Sequence, residues 1–208
     1  MSYGRKITLP DFKGWQYVQT MYGNCGKLLL ISCAQAQSDD HILTACQQWQ
    51  PVNMAQYAKN NVKQYSGRIV KISDGDTVQI QDTHGQKHRV RLAFIDAPEM
   101  RQAAGKESFK NLQNMLSRQK TVQVQVTDID QYQRQVAIVW QGDVDVNASQ
   151  LAQGLAWHYD SIAKKQQQVD AYRYYQCLHQ QAQKQRVGLW RNHQAQAPWA
   201  FRQSERAQ

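Results

Sequence analysis

Between Ser66 and Trp140 closely spaced turn signals cut the chain into short strand-like segments, and that punctuation restricts the fold more than any other feature. Gly67 to Ser73 reads as a strand, and Asp74-Gly75-Asp76 turns the chain into a second, Thr77 to Gln81. Thr83-His84-Gly85 is a hairpin loop leading into a third strand, Lys87 to Ile95, which Pro98 terminates. Val122, Val124 and Val126 alternate with polar residues as a half-buried strand does, and Gln135 to Trp140 makes a fifth. Gly105 to Arg118 carries Phe109, Leu112 and Leu116 at helical spacing.

Five short strands with a helix between the third and fourth is the order of an OB-fold, a five-stranded, partly open barrel. The expected class is therefore α+β, a five-stranded OB-fold barrel with about three helices. A short helix is expected over Asn147–Gln153, ended by Gly154. A long one is expected over Ile162–Arg186, with Ala171, Tyr175, Leu178 and Ala182 as its packed stripe. Residues 37–65 are polar and glutamine-rich and read as a connecting extension with a short helix around 39–49. The barrel domain is placed at 66–190 and a tail at 191–208.

The chain is basic, with 25 Lys and Arg against 16 Asp and Glu. A positive surface concentrates polyanions, so nucleic acid or an anionic membrane is the natural partner. No stretch approaches the roughly 20 apolar residues of a membrane span. A short apolar run, Leu28 to Ile31, follows Lys27 and precedes Ala34-Gln35-Ala36, a small-x-small cleavage pattern. Leu30-Ile31-Ser32-Cys33 also resembles a lipobox, in which Cys33 would be lipidated and anchor the protein to a membrane. Residues 1–36 are read as a leader, with Met21 an alternative start, and the expected location is secreted or periplasmic. A lipoprotein, or a cytoplasmic protein whose residues 28–34 form a buried strand, is the alternative.

Cleavage after Ala36 leaves Cys46 and Cys177, a pair suited to one disulfide in an oxidising compartment. On a helical wheel Cys177 lies about 130° from the middle of the apolar stripe, where a segment crossing the helix would reach it. The alternative is a buried Cys177 and an unrelated free Cys46. The six histidines show no metal-ligand spacing; His84 and His88 flank a hairpin, and His158 beside Trp157 reads as packing or surface.

Three polar stretches punctuate the strands: Asp74-Gly75-Asp76-Thr77, then Val90-Arg91-Leu92-Ala93-Phe94-Ile95-Asp96-Ala97-Pro98-Glu99, then Asp130-Gln131-Tyr132-Gln133-Arg134. Each alone has an ordinary explanation: a common turn, a structurally paired arginine, a solvated charge. An arginine inside an apolar strand is nonetheless costly without a partner. Together the three supply what phosphodiester hydrolysis needs. Carboxylates hold a hard divalent cation, another carboxylate takes a proton from water, and two arginines neutralise charge on the reacting phosphate.

In these stretches, in their order and approximate spacing, residues 66 to about 190 resemble the staphylococcal nuclease (thermonuclease) family. Gln153-Gly154-Leu155-Ala156-Trp157 fits as well, and Gly188-Leu189-Trp190 with Pro198-Trp199-Ala200-Phe201-Arg202 resembles the bacterial branch. The resemblance implies a calcium-dependent endonuclease of DNA and RNA that leaves 3′-phosphate ends; the chain is separately expected to be a monomer, an expectation that no motif carries. It assigns calcium to Asp76, Asp96 and the Ala97 carbonyl, the water to Glu99, the phosphate to Arg91 and the transition state to Arg134. Tyr132 matches an aromatic near the nucleotide. Ala97 stands where the family often has Thr, and Gln133 where it often has Gly. Strict strand alternation would put Arg91 and Asp96 on opposite faces, so the chain is expected to leave strand geometry near Ile95–Ala97. The competing readings are a catalytically silent nucleic-acid-binding barrel and a surface lipoprotein; both leave the complete carboxylate and arginine set unexplained.

Overall fold

The computed structural model describes residues 41–61, 63–116 and 121–207. The leader, its cleavage pattern and Cys33 lie outside the described residues. The barrel is built from β1 (Lys63–Ile72), β2 (Thr77–Asp82), β3 (Lys87–Leu92), β5 (Thr121–Ile129) and β6 (Gln135–Gln141). Short strands β4 (Ile95–Asp96), β7 (Val144–Asp145) and β8 (Trp157–His158) complete the set. The sheet runs β3-β2-β1-β5-β6-β7 and closes on itself through a β3–β6 pairing. That closing pair is parallel, Val90 opposite Gln135, whereas the other barrel pairings are antiparallel. Closure leaves no exposed barrel edge. The interior is filled by Val78, Ile80, Val90, Leu92, Val122, Val124 and Val126, all essentially buried.

Six α-helices accompany the barrel among the described residues. They are α1 (residues 41–46), α2 (Gly105–Leu116), α3 (Val146–Ala152), α4 (Asp160–Gln166), α5 (Val169–Lys184) and α6 (Pro198–Arg206). The single long helix expected over Ile162–Arg186 is instead two. Gln167 and Gln168 are extended, because Gln167 bridges to Ala58 and the Gln166 carbonyl accepts the Lys59 amide at 2.8 Å. Within α5 the stripe Ala171, Tyr175, Leu178 and Ala182 is fully buried.

The segment before β1 packs closely. Ile42, Cys46, Tyr57 and Ala58 are buried, and Tyr57 stands edge-on to Trp140 with ring centroids 4.7 Å apart. Cys46 is joined to Cys177 of α5 by a disulfide, Cα–Cα 5.8 Å. β1 starts at Lys63, four residues earlier than its glycine implied, since Lys63 to Ser66 pair with Val126 to Gln123 of β5.

A further departure shapes the site. β3 ends at Leu92, not Ile95, and the chain reverses through Ala93 and Phe94, the latter at φ +64°. Arg91 and Asp96 are thus brought together by a left-handed residue two positions before Asp96, not by Pro98. Asn147 of α3 holds the turn in place. Its Nδ2 donates to the Ala93 and Ala137 carbonyls at 3.0 and 3.1 Å, and its Oδ1 accepts the Val139 amide.

Candidate active site

Arg91 projects from β3, opposite Thr77 of β2, and its guanidinium spans two aspartates. Nη1 donates to Asp76 Oδ1 and Nη2 to Asp96 Oδ1, both at 2.7 Å. Asp76 sits at the start of β2, and Asp96 lies on β4, which pairs with β8 through Trp157. Both carboxylates are buried, at 3% and 0% exposure, so the Arg91 charge offsets a desolvation neither could bear alone. The second Asp76 oxygen accepts the Ala97 amide at 2.8 Å, locking the β4 exit onto the β2 entrance. Burial pushes the Asp76 carboxyl up to about 7, with Arg91 pulling the other way and Asp74 and Asp96 adding to the rise. Burial works against the Arg91 charge, but the two aspartates outweigh it and raise its pKa further.

Two glycines permit this crowding. A Cβ on Gly75 would fall 2.0 Å from Ser108 Oγ, and one on Gly105 would fall 1.9 Å from the Glu99 carbonyl oxygen. Gly105 therefore lets the start of α2 close against the loop bearing Glu99. The Gly75 carbonyl accepts Gln150 Nε2 at 2.7 Å, which ties the Asp74–Asp76 turn to α3.

Arg134 and Tyr132 stand across the cavity in the β5–β6 turn. Arg134 Nε donates to Asp130 Oδ2 at 2.7 Å, and its guanidinium lies 5.5 Å from the Tyr132 ring centroid. Partial burial alone would raise the Asp130 carboxyl; hydrogen bonds from the Arg134 amide and side chain hold it below the usual range. Gln133, in the position the family often gives to glycine, adopts φ +59°. Asp76, Arg91, Ala97, Glu99, Tyr132 and Arg134 all line one cavity of about 1140 Å³. Asp96 contacts Arg91 from beneath it. Tyr132 is 61% exposed and Arg134 is engaged with Asp130, so these two are not in contact with the carboxylate cluster.

One participant lies in the segment assigned to the tail. Arg202 of α6 donates through Nη2 to Asp96 Oδ2 at 2.8 Å, and through Nη1 to Glu99 Oε1 at 2.9 Å and Asp96 Oδ1 at 3.2 Å. The hydrogen bonds to Asp96, then to Glu99, raise the Arg202 pKa and keep it charged. Pro198 opening a helix was a local signal for α6. Trp199, Arg202, Gln203 and Arg206 at helical spacing marked one polar and aromatic face.

The candidate ligand atoms of Asp76 and Asp96 are oxygens, which suits a hard divalent cation and not a soft one, and in this structure they accept from Arg91, Arg202 and the Ala97 amide. Among the described residues no three His, Cys, Asp or Glu side chains converge, so water and a phosphate would supply further ligands. The histidines stand apart. His88 Nε2 pairs with Asp82 at 2.8 Å, and His158 is buried against Gln167.

Residues 89–192 match a family model described as staphylococcal nuclease homologue. The chain is 36% identical over 149 residues to a micrococcal nuclease of Shigella flexneri, covering 67% of this chain and 82% of that one. It is 37% identical over 139 residues to an uncharacterized endonuclease of Haemophilus influenzae, covering 67% and 74%. A probable staphylococcal-like nuclease of Oryza sativa is 31% identical over 154 residues, covering 72% and 44%.

Proposed function

The chain belongs to the staphylococcal nuclease family, and on that premise we propose that it is a calcium-dependent endonuclease of DNA and RNA that leaves 3′-phosphate ends. The observation that carries the reading is the Asp76–Arg91–Asp96 cluster on one wall of a cavity that Glu99 and Arg134 also line. A silent binding barrel has no need of two desolvated aspartates bridged by one arginine.

Asp76, Asp96 and the Ala97 carbonyl would hold the cation. Calcium, when bound, supplies Lewis acidity to the phosphate and orients a water. Arg91 presents fixed donors to phosphate oxygens and limits how far the two aspartates can separate. Glu99, 40% exposed at its side chain, accepts the proton of the attacking water. Arg134 exchanges Asp130 for the charge that develops on the phosphate and the leaving 5′ oxygen, where a fixed donor acts only in the transition state. Tyr132 offers its exposed ring to a base. The Cys46–Cys177 disulfide supports export to an oxidising compartment.

Plasmid DNA and RNA incubated with the purified protein, with calcium and then with excess chelator, test this directly. Degradation with calcium alone is expected. Cleavage that persists in chelator would remove the metal from the proposal, and binding without cleavage would favour the silent barrel.

A further inference from the structure

α6 is anchored at three points against the catalytic wall. Gln102 Nε2 donates to the Gln196 carbonyl just ahead of it, Arg101 pairs with Glu205 at 2.6 Å, and Arg202 pairs with Asp96 and Glu99. Four of its residues line the catalytic cavity: Trp199, Arg202, Gln203 and Arg206. Their spacing of three, four and seven puts them on one face, spread over about 10 Å of helix. Trp199 is 38% exposed although two aromatic rings pack against it. It lies nearly parallel to Tyr159, 5.6 Å between centroids and 22° between planes, and Trp157 meets it edge-on at 5.6 Å. An indole buttressed in this way keeps one orientation while still presenting surface to the cavity. Arg206, one turn beyond Arg202, is exposed.

We infer that this face of α6 is a nucleotide subsite, with Trp199 stacking a base and Arg206 neutralising the phosphate next to the one being cleaved. The inference rests on the nuclease reading above and extends it to a segment that the barrel does not include. The pattern is that of a single-strand binding surface, in which aromatic faces take bases and cations follow the backbone. Arg202 fixes the register between subsite and reaction centre, because it holds α6 directly on Asp96 and Glu99. An unbuttressed helix with the same residues would have no fixed distance to the reacting phosphate. A protein partner is a poorer fit, since the face opens into a concave wall shared with Arg91 and Arg134 rather than onto a flat surface.

The test is binding of a labelled single-stranded oligodeoxynucleotide by the whole chain, followed by anisotropy in chelator, so that turnover does not intervene. Trp199→Ala is expected to weaken Kd by at least about five-fold, and Trp199→Phe to stay near wild type because a ring still stacks. Arg206→Ala should weaken binding and lower the salt slope by about 0.7, the value for one phosphate contact on a single strand. Lys184→Ala removes the same charge from the exposed end of α5 and should leave both quantities unchanged. Circular dichroism identifies any variant that fails to fold, and the Arg206 and Lys184 pair decides the question if Trp199→Ala does. Wild-type affinity in Arg206→Ala, or equal losses in Arg206→Ala and Lys184→Ala, overturns the subsite while the nuclease reading stands. A wild-type chain that neither binds the oligonucleotide nor cleaves it overturns both.

Discussion

Arg134 is held by Asp130, four residues before it: Nε donates to Oδ2 at 2.7 Å, and the backbone amide of Arg134 donates to Oδ1 at 2.9 Å. The arginine proposed for the transition state is thus tethered at its own turn on the cavity wall, and under that proposal it exchanges one carboxylate for a phosphate during turnover.

Because that exchange is useful only where charge develops, Arg134→Ala should lower kcat by at least ~10², roughly 2.7 kcal/mol. Glu99→Gln should do the same through loss of the proton acceptor. Both variants should keep the wild-type circular dichroism spectrum, since both side chains line the cavity rather than the core. Initial rates on plasmid DNA decide it, and near-normal turnover in either folded variant overturns the assignment.

Asp76→Ala should raise the calcium concentration needed for activity far more than it weakens DNA binding, since binding to polyanions comes mainly from Lys and Arg. Calcium titration of activity alongside oligonucleotide binding separates the two effects. Parallel losses in both would remove Asp76 from the metal site.

Gln133 occupies φ +59°, a region costing an L-residue with a Cβ about 1 kcal/mol. Gln133→Gly should therefore stabilise the protein by a fraction of that, net of the extra freedom glycine has when unfolded. A raised urea midpoint checks it; a lowered one means the Gln133 side chain contributes more than the turn geometry.

His179 lies between Trp157 and Trp190 with its Nε2 buried and unpartnered, and burial brings it down to about 4, with His158 adding to the effect. Its folded pKa is below its unfolded value of about 6.5. Its stabilisation is therefore complete above 6.5 and lost as pH falls toward 4, at up to about 1.4 kcal/mol per unit. Burial lowers His158 as well, whereas it raises Asp145 and Asp76 to about 7, and these raised acids oppose the histidines over part of the window. The readout is accordingly a difference: His179→Gln should lose less stability than wild type between pH 6.5 and 4.5. Identical slopes would exclude His179 as a source of acid sensitivity.

Reducing the Cys46–Cys177 disulfide opens a link between positions 131 apart, for which the chain-entropy model gives about 4–5 kcal/mol as an upper estimate. Thiol titration with and without reductant, followed by urea melts of Cys46→Ser/Cys177→Ser, measures it. Free thiols at both Cys46 and Cys177 in the unreduced protein would contradict the bond.

Much of the barrel is local and could be read along the chain. The Val122–Val124–Val126 alternation and the Asp74–Asp76 and Thr83–Gly85 turns are written in neighbouring residues, because strand period and turn chemistry depend on the backbone within a few positions. The stripe from Ala171 to Ala182 was visible for the same reason, but the break at Gln167 was not. Nothing in the local sequence forbids helix there; the extended backbone is held by Ala58 and Lys59, over a hundred positions away. Phe94 is a similar case, since a bulky residue at positive φ persists only where Asn147 pins the surrounding carbonyls.

What the sequence by itself determined was the kind of residue available at each strand end: carboxylates at 76, 96 and 99, arginines at 91 and 134. What only the tertiary structure decided was which of them meet. The parallel β3–β6 pair that closes the barrel has no turn to announce it, and Arg202 reaches Asp96 from 106 positions away because α6 packs its tryptophan onto Trp157 and Tyr159. Periodicity reports each element's own geometry, whereas contacts between distant elements depend on how all the buried surfaces fit at once.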